Sequence, residues 1–133
     1  MKYLMFIFLI AMVPVHAQDQ TAQYRACNEK ASTQAELNIC ASEEAARTDN
    51  ELNKIYGKLL LQAANQDGAV VKIRFAERAW VTYRDAYIDA MYPADDKHAE
   101  YGSMYSMEVD LLRSKITQRQ ILALRELLQQ FGA

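Results

Sequence analysis

Side chains able to do chemistry are sparse in this chain of 133 residues, and they gather in one stretch, "YPADDKHAEYGSMYS", residues 92–106. His98 lies there between Asp95 and Ser103, the three residue types of an acyl-transfer triad. A working triad draws its members from separate rigid elements, whereas these share one loop, so a hydrolytic reading is poor. The same stretch reads better as a contact surface. Tyr92, Tyr101 and Tyr105 offer large area at low entropic cost, and Asp95, Asp96 and Glu100 would steer a basic partner toward them. His98 and Ser103 complete the candidate set.

A second charged and aromatic stretch is "RFAERAWVTYRDAYID", residues 74–89. Its arginines and aspartates could form a binding face with Trp80, Tyr83 and Tyr87 between them. Aromatic residues on an amphipathic helix more often bury their bodies and keep a polar tip wet, so the stretch is expected to supply core and flanks.

Other chemistries find too few residues. The chain holds two histidines, His16 and His98, and two cysteines, too few for most metal sites. Its four glycines include no phosphate-cradling spacing. No catalytic set, metal or cofactor is therefore expected. The formal net charge is −2, or −3 without Lys2, which argues against nucleic acid.

The N-terminus, "MKYLMFIFLIAMVPVHAQDQ", joins one cation to an apolar run and the small-residue pattern Val15-His16-Ala17. This is the form of a secretory signal peptide over residues 1–17, leaving one domain over residues 18–133. The apolar run falls short of the ~20 residues that span a bilayer, so no retained anchor is expected. In an exported chain two cysteines favour an internal bridge, and Cys27 and Cys40 lack the C-x-x-C spacing of redox catalysts. The expected staple ties a short N-terminal helix, within residues 19–30, to the start of the next one.

That next helix opens at "TQAELNIC", residues 33–40, where Thr33 and Glu36 are spaced as a capping box. Leu52, Ile55, Tyr56, Leu59, Leu60 and Ala63 recur at helical spacing up to the turn signal "NQDG" at 65–68. A second long helix follows, with Ile73, Trp80, Tyr83, Tyr87 and Met91 near one stripe, and Pro93 stops it. A polar loop leads to a third, from about Met104 to Phe131, with Val109, Leu112, Ile116, Ala123 and Leu127 on one face, widened by Leu124, Leu128 and Phe131. No segment reads as a strand. The expected fold is all-α, an antiparallel bundle of three main helices with the short N-terminal helix stapled by one disulfide.

"TQAELNIC" resembles the T-Q-x-E-(L/M)-N-x-C signature of the LprI-like lysozyme-inhibitor family, small exported helical proteins. "ERAWVTYRDA" is similar to that family's second hallmark, and "YGS" at 101–103 to the turn before its last helix. The resemblance covers nearly all of residues 18–133. It implies structural roles for Thr33, Glu36 and Asn38, for Trp80, Arg84 and Asp85, and a disulfide at Cys40. Where related chains often carry a second cysteine pair, this sequence has Ile88 and Leu112, which suggests an apolar contact in place of a bridge. The family's arginine commonly follows its threonine by three residues, whereas Arg119 follows Thr117 by two. The implied function is non-catalytic: periplasmic inhibition of a lysozyme or a related cell-wall hydrolase, for which the residues of 92–105, read on their own, are the expected contact. The alternative is an envelope accessory or immunity protein that binds a partner without inhibiting lysozyme.

Overall fold

The structure, a computed structural model, describes residues 20–132. The signal peptide expected over residues 1–17 lies outside the described residues. Helices α1 (Ala22–Lys30), α2 (Gln34–Ala63), α3 (Ala69–Met91), α4 (Lys97–Tyr101) and α5 (Tyr105–Gly132) follow in order, with a 3₁₀ turn at Gly102–Met104 before α5. No strand occurs among the described residues.

Local chemistry sets the boundaries. The Thr33 hydroxyl accepts from the Glu36 amide at 3.2 Å, and the Glu36 carboxylate accepts from the Thr33 amide at 3.0 Å and the Ser32 amide at 2.7 Å, closing the capping box. These bonds hold the Glu36 carboxyl below its ordinary pKa, the Ser32 amide contributing most. The turn at residues 64–68 ends in Gly68 at φ 72°, a left-handed conformation that suits glycine. α3 ends at Met91, two residues before Pro93, which cannot donate a helical hydrogen bond.

The three long helices run up, down and up. Gln120 on α5 donates to Glu77 on α3 at 2.8 Å and Tyr92, just past α3, to Glu108 on α5 at 3.4 Å, so these two are antiparallel. α2 and α5 run in the same direction, with Thr48 bonded to Ser114 at 3.2 Å near the middle and Gln62 against Gly132 at the far end. Their seam carries the main core: Leu52, Ile55, Leu59, Ala63, Ile121 and Leu124, joined by Ile73 of α3. A smaller cluster of Ile88, Val109 and Ile116 fastens α3 to α5 near the loop, with Leu112 packed against it. Ile88 and Leu112 thus share one apolar cluster, as the resemblance suggested for the positions where related chains often carry a second cysteine pair.

Cys27 and Cys40 form the expected disulfide, which ties α1 to α2 beside buried Tyr24 and Ala41. The other end of α1 is held by Glu44, which is fully buried and accepts from the Thr21 amide at 2.9 Å and the Thr21 hydroxyl at 2.6 Å. Arg47 lies 2.9 Å from the same carboxylate and supplies its counter-charge.

Two expected stripes are displaced in part. On α3, Tyr83 is 58% and Met91 53% exposed, and Tyr87 is exposed too, while Glu77 and Ile88 are buried instead. The inward face is set by where α2 and α5 both touch α3, and that line runs through Ile73, Glu77, Arg84 and Ile88. On α5 the expected Val109, Ile116 and Leu124 are buried, but Ala123 and Leu127 are exposed, and Ser114, Thr117 and Ile121 are buried as well. The expected stripe points toward α3, but the larger contact of α5 is with α2, roughly a quarter turn around the helix.

Replacing Cys27 with Ser and Cys40 with Ala is expected to lower the unfolding free energy by ~3 kcal/mol, the loop-closure value for a bridge of this span. Urea denaturation with and without the bridge measures it. A loss below ~1 kcal/mol would show that Tyr24 and Glu44 hold α1 without the bridge.

Candidate protein-binding site

The connection from α3 to α5 is built around rings. Tyr92 meets Tyr101 edge-on with centroids 5.2 Å apart and Tyr105 edge-on at 5.3 Å. Tyr101 stacks on Tyr105 at 5.8 Å, and His98 meets Tyr105 edge-on at 5.6 Å. The Tyr101 hydroxyl accepts from the Ala94 amide at 3.1 Å. Burial, then the neighbouring Glu108 charge, raises the Tyr92 phenol above its ordinary pKa, so this hydroxyl stays protonated as a donor to Glu108.

Backbone chemistry stiffens the loop further. The Asp96 side chain caps α4 by accepting from the Ala99 amide at 3.0 Å. Lys97 donates to the Tyr92 carbonyl and lies 3.8 Å from Asp89, joining loop and helix. Gly102 takes φ 72° and ψ −163°, a region open essentially to glycine alone, which lets the chain turn from α4 into α5. Asn38 of α2 donates to the Ser103 carbonyl at 3.4 Å, so the start of α2 also holds the loop.

The site residues expected from sequence therefore divide in two. Tyr92, Tyr101 and Tyr105 are half-buried against one another and form the loop's own small core rather than projecting from it. Asp95, Asp96, His98, Glu100 and Ser103 are exposed and form its outer rim. The reading from sequence left out of this set Met91 and Met104, 53% and 47% exposed, which flank the loop in sequence. A single methionine beside a polar loop carries no pattern by which to find it. Among the described residues no group of His, Cys, Asp or Glu is placed to hold a metal ion, and no helix is long and apolar enough to cross a membrane.

The second hallmark stretch has a different part. Arg84 lies over the Trp80 ring, 5.3 Å from its centroid, and bonds Asp85 at 2.9 Å. It also approaches Asp49 of α2 at 4.0 Å. Asp49, Trp80 and Arg84 line a groove of about 210 Å³ between α2 and α3 with Asn53, Tyr56 and Glu77. Their main contacts are with each other, so they join helices. Burial raises the Glu77 carboxyl above its ordinary pKa, against the opposing effects of the Gln120 bond and the Arg84 charge.

The family described as "Lysozyme inhibitor LprI" matches residues 27–124. An uncharacterized protein of Rhizobium meliloti (strain 1021) is 30% identical over 134 aligned positions, which cover 92% of this chain and 91% of that one. No solved structure matches the chain.

A carboxyl whose folded pKa is raised costs stability when it ionises, so this contribution worsens as pH rises from the unfolded value through the folded one. Glu77→Gln removes the ionisation and keeps an acceptor for Gln120. The variant's stability relative to the parent is expected to be more favourable at pH 7 than at pH 4, measured by urea midpoints. An equal difference at both values would mean that the buried carboxylate carries no penalty.

Proposed function

The chain belongs to the lysozyme inhibitor LprI family, and from that premise we propose that it is an exported, non-catalytic protein that binds and inhibits a lysozyme or a related cell-wall hydrolase. The observation that supports this reading is the ring-packed loop, which displays Asp95, Asp96 and Glu100 on a rigid base. A loop already ordered in the free protein loses little entropy on binding, so its contacts are converted to affinity with little loss.

Hydrolases of this kind cleave glycosidic bonds with two carboxylates in an open cleft. An inhibitor has only to fill that cleft and exclude the glycan, and no reaction is required of it. Exposed carboxylates on the rim attract a hydrolase with a basic surface and raise the association rate. Met91 and Met104 give the same surface apolar area that yields to an uneven partner. The half-buried tyrosines hold the rim in place beneath.

The test is the clearing of a bacterial cell-wall suspension by several lysozyme types, with the protein added as the exporting cell processes it. Dose-dependent inhibition with a one-to-one endpoint is expected for at least one type. Asp95→Asn with Glu100→Gln leaves the Asp96 cap intact and should raise the concentration needed for half inhibition roughly tenfold at low salt, and less at high salt. Unchanged inhibition by the double variant would move the contact away from the loop, and no inhibition of any type by the parent protein would remove the proposed function.

A further inference from the structure

α3 buries one side only. Ile73, Glu77 and Ile88 are its buried residues, while Val71 and Phe75 on the opposite side are each 69% exposed. At ~3.6 residues per turn, Ala79, Thr82 and Ala86 continue the outward stripe that Val71 and Phe75 begin. All are exposed. The stripe thus joins one large apolar side chain to a run of small ones, a shape that lets a second helix approach closely and offers room for a ring.

The charges along one edge of this stripe are ordered. Arg74 and Arg78 occupy the first half of the helix, Asp85 and Asp89 the second. The four fall on the same flank by helical spacing. If two copies of α3 lie antiparallel, Arg74 stands opposite the partner's Asp89 and Arg78 opposite the partner's Asp85. Both pairs have their midpoint between Val81 and Thr82, so a single two-fold axis there satisfies all four pairs at once. In the same register Phe75 reaches the partner's Ala86 and Ala90. A parallel two-fold pair would instead turn this flank toward the partner's other flank, so the four charges would not meet.

We propose that the outward face of α3 is a self-association surface, on which two copies of this chain pair antiparallel about a two-fold axis near Val81 and Thr82. The carboxylates retain capacity for this. Asp85 bonds Arg84 and Asp89 lies near Lys97, yet their side chains remain 58% and 79% exposed, with oxygen surface left to accept another donor. A contact made by one helix from each copy is small as interfaces go, so the dimer should dissociate in the micromolar range or above. Each α3 ends at its own loop, so the antiparallel pair points the two loops in opposite directions and leaves both free.

Sedimentation equilibrium of the processed protein from about 1 to about 200 µM at low salt tests this. The weight-average mass should rise toward that of a dimer. Phe75→Asp, at an exposed position where folding is undisturbed, should stay monomeric throughout. Arg78→Asp should weaken the dimer roughly tenfold, and adding Asp85→Arg should restore it. Arg74→Asp with Asp89→Arg gives an independent swap that leaves the Asp85 bond to Arg84 in place. Helical circular dichroism checks that each variant folds. A monomer at the highest concentration, a dimer indifferent to Phe75→Asp, or swaps that fold but do not restore association would each overturn the proposal.

Discussion

The first two turns of α2 are the constraint on which the other elements depend. Within eight residues Thr33 and Glu36 close the helix end, Asn38 reaches the carbonyl of Ser103 ahead of α5, and Cys40 binds α1 through Cys27. Gln34 adds a bond to Asn38 at 2.8 Å that aims the Asn38 amide. Three segments distant in sequence are thereby fixed at one end of the bundle. The spacing demanded of these residues is helical spacing, and it holds only if the capping box sets the helix to begin at Gln34.

This anchoring bears on a topology that needs it. α2 and α5 make the main core although they run parallel and are joined only through α3 and the loop. A parallel pair cannot be closed by a short turn, so the register of α5 against α2 has to be set from elsewhere. The ring cluster and the Ser103 bond set it at one end, and the Thr48 to Ser114 bond sets it near the middle. Two buried carboxylates fix other contacts, α1 against α2 and α3 against α5. Glu44 accepts only because Thr21 and Arg47 stand where they do, and Glu77 because Gln120 does. Displacing α1 from Glu44, or α5 from Glu77, would take a hydrogen-bond partner from a buried carboxylate, an expensive state that disfavours the alternatives. Thr117 of α5 is fully buried with its hydroxyl making no hydrogen bond, and Asp49 Oδ1 of α2 is likewise buried without one.

Much of this was legible in the sequence. The capping box, the disulfide, the turn at residues 64–68 and the stop at Pro93 are local signals, and each is where its chemistry places it. What was not legible depends on neighbours. Glu44 and Glu77 look like solvated helix charges until α1 and α5 cover them. The inward line of α3 passes through Glu77 and Arg84 rather than Tyr83 and Tyr87, because the polar groups find partners inside and the tyrosines have no helix to cover them. In the loop, residue types alone suggested that tyrosines and carboxylates act together. The structure separates them into support and rim, since three rings close together in a short loop bury one another before they can meet anything else.

The small net charge conceals an uneven distribution that matters for encounter. Asp95, Asp96 and Glu100 stand at the end of the bundle where α3 meets α5. On the seam of α2 and α5 further along α5, a groove of about 360 Å³ is lined by Lys115, Arg119 and Arg125, with Glu51 the only acid, and that acid is paired with Arg125. A basic protein approaching this molecule is attracted to the loop and repelled from the groove. Over separations within a Debye length, ~10 Å at moderate salt, such a field turns the partner before contact. In the inhibitor reading proposed above, this attraction does not fill a cleft but would bring the end that carries the rim to the partner first.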